Sequence, residues 1–151
     1  MTKVRKQPLY KKGTVYHPTH AHTDYMDYWL RNFMKDGSVL HLCCGTSNIG
    51  DVRVDLDPTM NTTMVGDLFK VIWEFREESF DYVYIDPPFD FYNPMKVAHP
   101  FEWQFRAFQL CKKALLTRRP RMSINMASRW HEWKVFEDSR PSVTLVRIDY
   151  K

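Results

Sequence analysis

The sequence predicts an α/β fold on a mostly parallel, twisted sheet, and three observations carry that expectation. Apolar, β-prone runs recur at Ser38–Gly45, Val52–Pro58 and Phe80–Ile85. Their ends carry a small residue or an acid, the residue types that leave a strand tip open to a ligand. Between them, apolar side chains return at helical spacing, so strands and helices alternate.

In chain order, residues 1–16 read as a basic tail and residues 17–151 as one domain. Met26, Trp29, Leu30 and Phe33 form a helical stripe behind the capping residue Thr23, and Gly37 ends that helix. Ser38-Val39-Leu40-His41-Leu42-Cys43-Cys44-Gly45 is a buried strand ending in glycine. Val52-Arg53-Val54-Asp55-Leu56-Asp57-Pro58 is the next, ending in acids. The gap between them is shorter than the dozen or so residues, roughly, that a crossover helix needs. The first helix of the alternation is therefore shortened to one turn around Thr46 to Ile49, or absent. Met64-Val65-Gly66-Asp67-Leu68 is a short strand ending in Asp67, and Leu68, Val71, Ile72 and Phe75 form the next helical stripe. Phe80–Ile85 is a strand that Pro87 and Pro88 stop abruptly. Phe101, Phe105, Phe108 and Leu115 mark a longer helix, followed by a strand from Met122 to Met126. A short helix near Trp130 and Trp133 leads to Pro141, and Val143 to Tyr150 alternates as the last of six expected strands.

The strand tips carry the chemistry. Strand, small-residue turn, strand, acid is the layout of a nucleoside pocket: the turn lets main chain approach the ligand, and Asp55 accepts ribose hydroxyls. Asp67 is placed to reach an adenine amino group. Asp86-Pro87-Pro88-Phe89 leaves one carboxylate and one stiffly held carbonyl at a strand tip. An exocyclic base amine is a poor nucleophile, because its lone pair is delocalised into the ring. Two acceptors that each take one N–H localise that pair and absorb positive charge as a methyl group arrives. Phe89 offers a flat face on which a base can stack. The tetrapeptide alone is a short signal, and it equally fits an ordinary loop in which Asp86 caps a neighbour.

With these residues in view, the chain resembles the S-adenosylmethionine-dependent methyltransferases, and among them the DNA amino-methyltransferases that make N6-methyladenine or N4-methylcytosine. The resemblance spans roughly residues 17 to 127. It implies a Rossmann-like methyltransferase fold with helices on both faces of the sheet, and S-adenosyl-L-methionine as cofactor. Leu40-His41-Leu42-Cys43-Cys44-Gly45 is similar to the family's cofactor turn, Asp55 to its ribose acid and Asp67 to its adenine contact. The implied cofactor set is completed by Asp57 and Leu68, and by Thr19 and His20 in a segment like the one that closes over the cofactor's methionine end. Asp86, Pro87, Pro88 and Phe89 resemble the catalytic motif, whose leading aspartate favours adenine. Cytosine enzymes more often carry Ser there, and protein-glutamine enzymes carry Asn. The implied reaction is direct in-line transfer to a flipped adenine in DNA, without a covalent enzyme intermediate. The chain also departs from the family, which usually has an acid at the place of His41, Gly at that of Cys43, and a turn richer in glycine. Asp55 follows the turn at about half the usual spacing of ~20 residues.

Composition sets the outer bounds. The chain has 151 residues, of which 44% are hydrophobic and 15% aromatic, enough for a single real core. No run of ~18 apolar residues would span a membrane, and Met1 to Lys12 lacks the apolar stretch of a signal peptide. Cys43, Cys44 and Cys111 fit reduced thiols in a cytoplasmic setting, the host cytoplasm for a viral protein, and also fit small buried filler. Viral, plasmid and restriction-modification settings all suit a minimal enzyme of this type.

Net charge is +4 and clustered. Lys3, Arg5, Lys6, Lys11 and Lys12 form one group and Arg118, Arg119 and Arg121 another; both fit phosphate contacts, and both fit solvated segments. Phe91 and Tyr92, in the loop after the tetrapeptide, would wall the pocket for a flipped base or pack in the core. No separate recognition domain has room here, so short-site specificity or recognition by a homodimer is expected. His17, His20 and His22 do not match a zinc framework, and no metal is expected. RNA amino-methylation and an inactive nucleic-acid-binding subunit are the alternative readings.

Overall fold

Strands buried on both faces call for mainly apolar side chains, and Val39, Leu40 and Leu42 with Val83, Tyr84 and Ile85 supply them in the central parallel pair. The computed structural model describes residues 2–3, 24–86, 102–118, 130–137 and 143–150. Its elements in order are β1 (Thr2–Lys3), α1 (Asp24–Phe33), β2 (Val39–Leu42), β3 (Val52–Asp55), β4 (Met64–Val65), α2 (Leu68–Val71), β5 (Phe80–Ile85), α3 (Glu102–Gln109), β6 (Cys111–Arg118), β7 (Trp130–Glu137) and β8 (Val143–Tyr150). One mixed sheet has the order β1-β7-β8-β6-β5-β2-β3-β4. All neighbours are parallel except those of β8, which runs antiparallel to both β6 and β7. The two-residue β1 caps one edge, so part of the basic N-terminal stretch pairs with β7.

The expected α/β alternation with a mostly parallel sheet is present, and three local expectations are corrected. The third helix stops at Gln109, and Cys111–Arg118 is a strand. Leu115 continues the helical spacing of Phe108, but it lies between β5 and β8, where tertiary pairing overrides local propensity. Trp130–Glu137 is likewise a strand, not a short helix. The sheet therefore holds more than six strands; the proposed strand at Met122–Met126 falls outside the described residues. The second helix is a single turn, Leu68–Val71. Between β2 and β3 there is no helix.

Helices cover both faces. On one, Met26 and Leu30 of α1 pack with Val39, Tyr84, Leu115, Val146 and Ile148. On the other, Leu68, Val71, Trp103, Ala107 and Phe108 of α2 and α3 pack with Leu40, Leu42, Val83, Ile85 and Leu116. Strand pleating explains the division, since successive side chains of β2, β5 and β6 alternate between the two cores.

The foot of the sheet is tied by Asp81. Its Oδ2 accepts the Ser38 N–H at 2.9 Å and the Ser38 hydroxyl at 3.2 Å, while the Asp81 N–H donates to Ser38 Oγ at 3.1 Å. Gly37 enters β2 across this knot, and a Cβ there would stand 2.6 Å from Asp81 Cβ and 2.8 Å from Tyr82 Cε2. Gly37→Ala is therefore expected to lower stability by about 2 kcal/mol or more in a urea melt. A loss under roughly 0.5 kcal/mol would contradict the packing.

A buried charge pair lies in the antiparallel half. Asp149 is 0% exposed and its Oδ1 accepts from Arg147 Nε at 3.0 Å. Burial pushes the Asp149 carboxyl up to about 6, against the pull of Arg147. Because the folded value is raised, this group's stabilisation is fully present below the unfolded value of 3.8 and is lost as pH rises through about 6. The loss is on the order of 3 kcal/mol at most. Calorimetric stability should carry this downward component between about pH 4 and pH 6, and Asp149→Asn should remove it. An Asp149→Asn profile parallel to that of the parent over that interval would refute the assignment.

Candidate functional site

Where strand order reverses, loops leave in opposite directions and a crevice opens at the carboxyl ends of the strands. Here β3 and β4 follow β2 to one side and β5 and β6 lie to the other, so the reversal falls between β2 and β5. Register fixes what stands at that edge. Leu42 pairs with both Val54 and Ile85, so the next residues, Cys43, Asp55 and Asp86, form one row. With adjacent strands about 4.8 Å apart, the two acids lie roughly 10 Å apart with Cys43 between them. Asp67 follows β4 two residues after Val65, beyond Asp55.

The turn after β2 is held by main chain and by Asp55. Cys43 and Gly45 take φ of 59° and 55°. Such left-handed backbone suits glycine, and at a cysteine it costs about 1 kcal/mol. The Cys44 N–H donates to the Val54 carbonyl at 3.0 Å, and the Gly45 N–H to Asp55 Oδ2 at 3.0 Å. Asp55 Oδ1 accepts the Asp57 N–H at 3.0 Å. Both oxygens are thus oriented by the backbone, and each keeps a lone pair for a ligand hydroxyl.

The other expected residues divide into crevice and scaffold. Asp67 caps α2, its Oδ1 accepting the Phe69 N–H at 3.0 Å. Asp57 turns onto Thr59, accepting its N–H at 2.9 Å and its hydroxyl at 2.7 Å, and these bonds hold its carboxyl below the usual range. Leu68 is a core side chain, so only its main chain can meet a ligand. His41 is buried, its Nδ1 2.9 Å from the Ile49 carbonyl and its ring 4.6 Å from that of Tyr84. Cys44 is also buried; its Sγ lies 3.5 Å from the Gly45 carbonyl, and burial and then Asp55 push its thiol up to about 11.

Asp86 is 7% exposed, at the end of β5, with its N–H donating to the Leu42 carbonyl at 3.3 Å. Cys43 is half-buried and senses the whole row. Burial raises its thiol well above the ordinary value, with further upward contributions from Asp55, Asp86, Cys44 and Asp67. Three carboxylates thus converge electrostatically on one side chain.

Thr19, His20, Pro87, Pro88, Phe89, Phe91, Tyr92, Arg5, Lys6, Lys11, Lys12, Arg119 and Arg121 lie outside the described residues. Lys3 is in β1 at the sheet edge opposite β4, whereas Arg118 ends β6 at the same sheet end as Asp86. Among the described residues, no cluster of three or more His, Cys, Asp or Glu would hold a metal ion, and no helix is long and apolar enough to cross a membrane.

Arg53 and Asn61 join the site although no motif pointed to them. The Arg53 guanidinium donates to the Gly50 carbonyl at 2.9 Å and the Asn61 carbonyl at 2.8 Å. The signal available in the sequence was an arginine inside an otherwise apolar strand, beside the candidate ribose acid.

Comparison with family models, curated proteins and solved structures found no match.

Since only the thiolate is nucleophilic, the raised Cys43 thiol should be alkylated by iodoacetamide at least about tenfold more slowly in the folded protein than in urea at pH ~8. Peptide mass spectrometry after timed quenching reads this. Equal rates would mean that Cys43 does not sit among the acids.

Proposed function

We propose that this chain is a Rossmann-like, S-adenosylmethionine-dependent methyltransferase acting on the N6 amine of adenine in DNA. The observation that carries the reading is the row Asp55–Cys43–Asp86 at the strand-order reversal, with Asp67 beyond it. Numbered from β2, the parallel strands run 3-2-1-4-5, the start of the common dinucleotide-binding order.

The residues present fit the cofactor. Asp55 offers lone pairs at the tip of the second parallel strand, where a ribose diol is bound in this architecture. Asp67 stands one strand further, at the start of α2, and is the acid that would meet the adenine amine. When bound, S-adenosylmethionine supplies an electrophilic methyl group on a sulfonium. The row's negative charge suits that cation, and the Cys43 thiol, kept protonated, adds none.

The protein's own part is to hold and polarise the amine. Asp86 would accept one N–H and the carbonyl of Pro87, which lies outside the described residues, the other, localising the nitrogen lone pair and offsetting the positive charge that grows on it. Phe89 stacks the base after it leaves the duplex. The proton departs after transfer and can go to water, so Asp86 need not act as a strong base. Arg118, whose backbone ends β6 at the same sheet end, is the proposed phosphate contact among the described residues.

A second reading is favoured by Cys43. A side chain at φ 59° where a glycine would leave space suits a subunit that keeps the fold, binds nucleic acid and has lost the cofactor.

One experiment separates the readings. Duplex DNA and structured RNA are incubated with protein and S-adenosylmethionine, digested, and analysed by nucleoside mass spectrometry. N6-methyl-2′-deoxyadenosine from the DNA arm is the expected outcome. Asp86→Ala should reduce it by about 10²-fold or more while cofactor affinity by calorimetry changes little. Methylation of RNA alone would reassign the substrate, and absence of binding at millimolar cofactor would favour the inactive subunit. Full methylation by Asp86→Ala would end the mechanism.

A further inference from the structure

The connection from β2 to β3 has to do without the crossover helix that normally braces such a turn. Parallel strands are usually joined by about a dozen residues or more, most often through a helix packed on the sheet. Here Cys43 to Asp51 make the passage with no helical residue. The turn therefore lacks the packing that would otherwise hold it, and lacks the N-terminal N–H groups that a helix would aim at a ligand.

Side chains take over the bracing. Arg53 reaches under the turn with Nη1 on the Gly50 carbonyl at 2.9 Å, and across to the next loop with Nε on the Asn61 carbonyl at 2.8 Å. Asn61 closes the bridge, its N–H donating to the Gly45 carbonyl at 3.0 Å. The backbone of Arg53 is itself pinned, with its N–H on Thr63 Oγ1 at 2.8 Å and its carbonyl accepting the Thr63 N–H at 2.9 Å. From the far side, Arg31 of α1 donates to Asn48 Oδ1, held in place by Asp27 at 2.7 Å. The guanidinium of Arg53 is close enough to draw the Cys44 thiol downward against the effect of burial.

We propose that Arg53 is a positioning residue that preforms the ligand crevice by stapling the turn after β2 to the loop after β3, in place of the missing helix. It touches no reacting atom. It acts through Gly45 and Asn61 on Asp55, whose Oδ2 is fixed by the Gly45 N–H. A planar guanidinium serves two carbonyls in different loops at once, whereas an ammonium is a single point on a flexible stem. The catalytic consequence rests on the methyltransferase reading; the staple itself does not.

The test uses the full chain with Arg53→Met and Arg53→Lys, each checked by thermal melting. Hydrogen exchange followed by mass spectrometry should rise in both loops, residues 44–50 and 56–63, in Arg53→Met and less in Arg53→Lys. Binding of S-adenosylmethionine should weaken at least about tenfold in Arg53→Met, with partial recovery in Arg53→Lys. At saturating cofactor kcat should stay within roughly threefold, so the loss appears in KM for the cofactor. Unchanged exchange in both loops of a folded Arg53→Met would overturn the staple. So would a kcat that falls as far as kcat/KM. If the parent protein binds no S-adenosylmethionine, the functional reading fails, and exchange alone then decides the role of Arg53.

Discussion

Register between β2 and its two parallel neighbours is the constraint on which everything else in this molecule rests. A slip of one residue in either pairing would send every side chain of the moving strand to the opposite face, exchanging one core for the other. It would also break the row at the carboxyl edge, because Asp55, Cys43 and Asp86 align only while Leu42 faces both Val54 and Ile85. The register is pinned at both ends. Below, Ser38 and Asp81 exchange three hydrogen bonds across β2 and β5. Above, the Cys44 and Gly45 amides are held by Val54 and Asp55 of β3. Asp51 adds a third clamp, accepting the Val39 N–H at 2.8 Å while its own N–H donates to the Val39 carbonyl at 2.9 Å.

These clamps are made mostly of short polar side chains bonded to backbone, a way of securing strand ends where apolar packing runs out. Inside the sheet, alternation between two cores does the work, and burial of Leu40, Leu42, Val83 and Ile85 on one side is matched by Val39 and Tyr84 on the other. Exposed ion pairs matter less. Lys112 and Asp81 approach to 3.2 Å, but both are substantially solvated, and such pairs contribute roughly 0–1 kcal/mol. Asp81 matters for its bonds to Ser38.

The sequence was most readable where local pattern and tertiary demand agree. β2, β3 and β5 are apolar runs with punctuated ends, α1 has an apolar stripe, and β8 alternates; all five are present. It was misleading where they conflict. Cys111–Arg118 contains Lys-Lys-Ala-Leu-Leu, a good helix former, yet it occupies the slot between β5 and β8, where backbone groups of both neighbours need partners. In Trp130–Glu137 the two tryptophans suggested helical spacing, while pairing with β8 along the whole strand shows that a period of two governs. The acids of the site were legible because a strand-ending carboxylate is conspicuous. Arg53 was not, because its role depends on two carbonyls, Gly50 and Asn61, whose approach only the folded loops create.

The missing helix and the acidic row are connected. A crossover helix would bring its positive end to the crevice and favour anionic ligands. Without it, Asp55, Asp67 and Asp86 stand at this edge, and each adds to the rise of the Cys43 thiol that burial chiefly causes. The Arg53 guanidinium is engaged with the Gly50 and Asn61 carbonyls. The edge of the sheet thus combines a firmly held floor with a negative opening. An acidic edge of this kind would favour hydroxyl and amino donors, or positive charge, over phosphate at the same place. On the methyltransferase reading proposed above, a nucleoside bearing a sulfonium would suit this edge better than a dinucleotide, whose pyrophosphate would meet the acids.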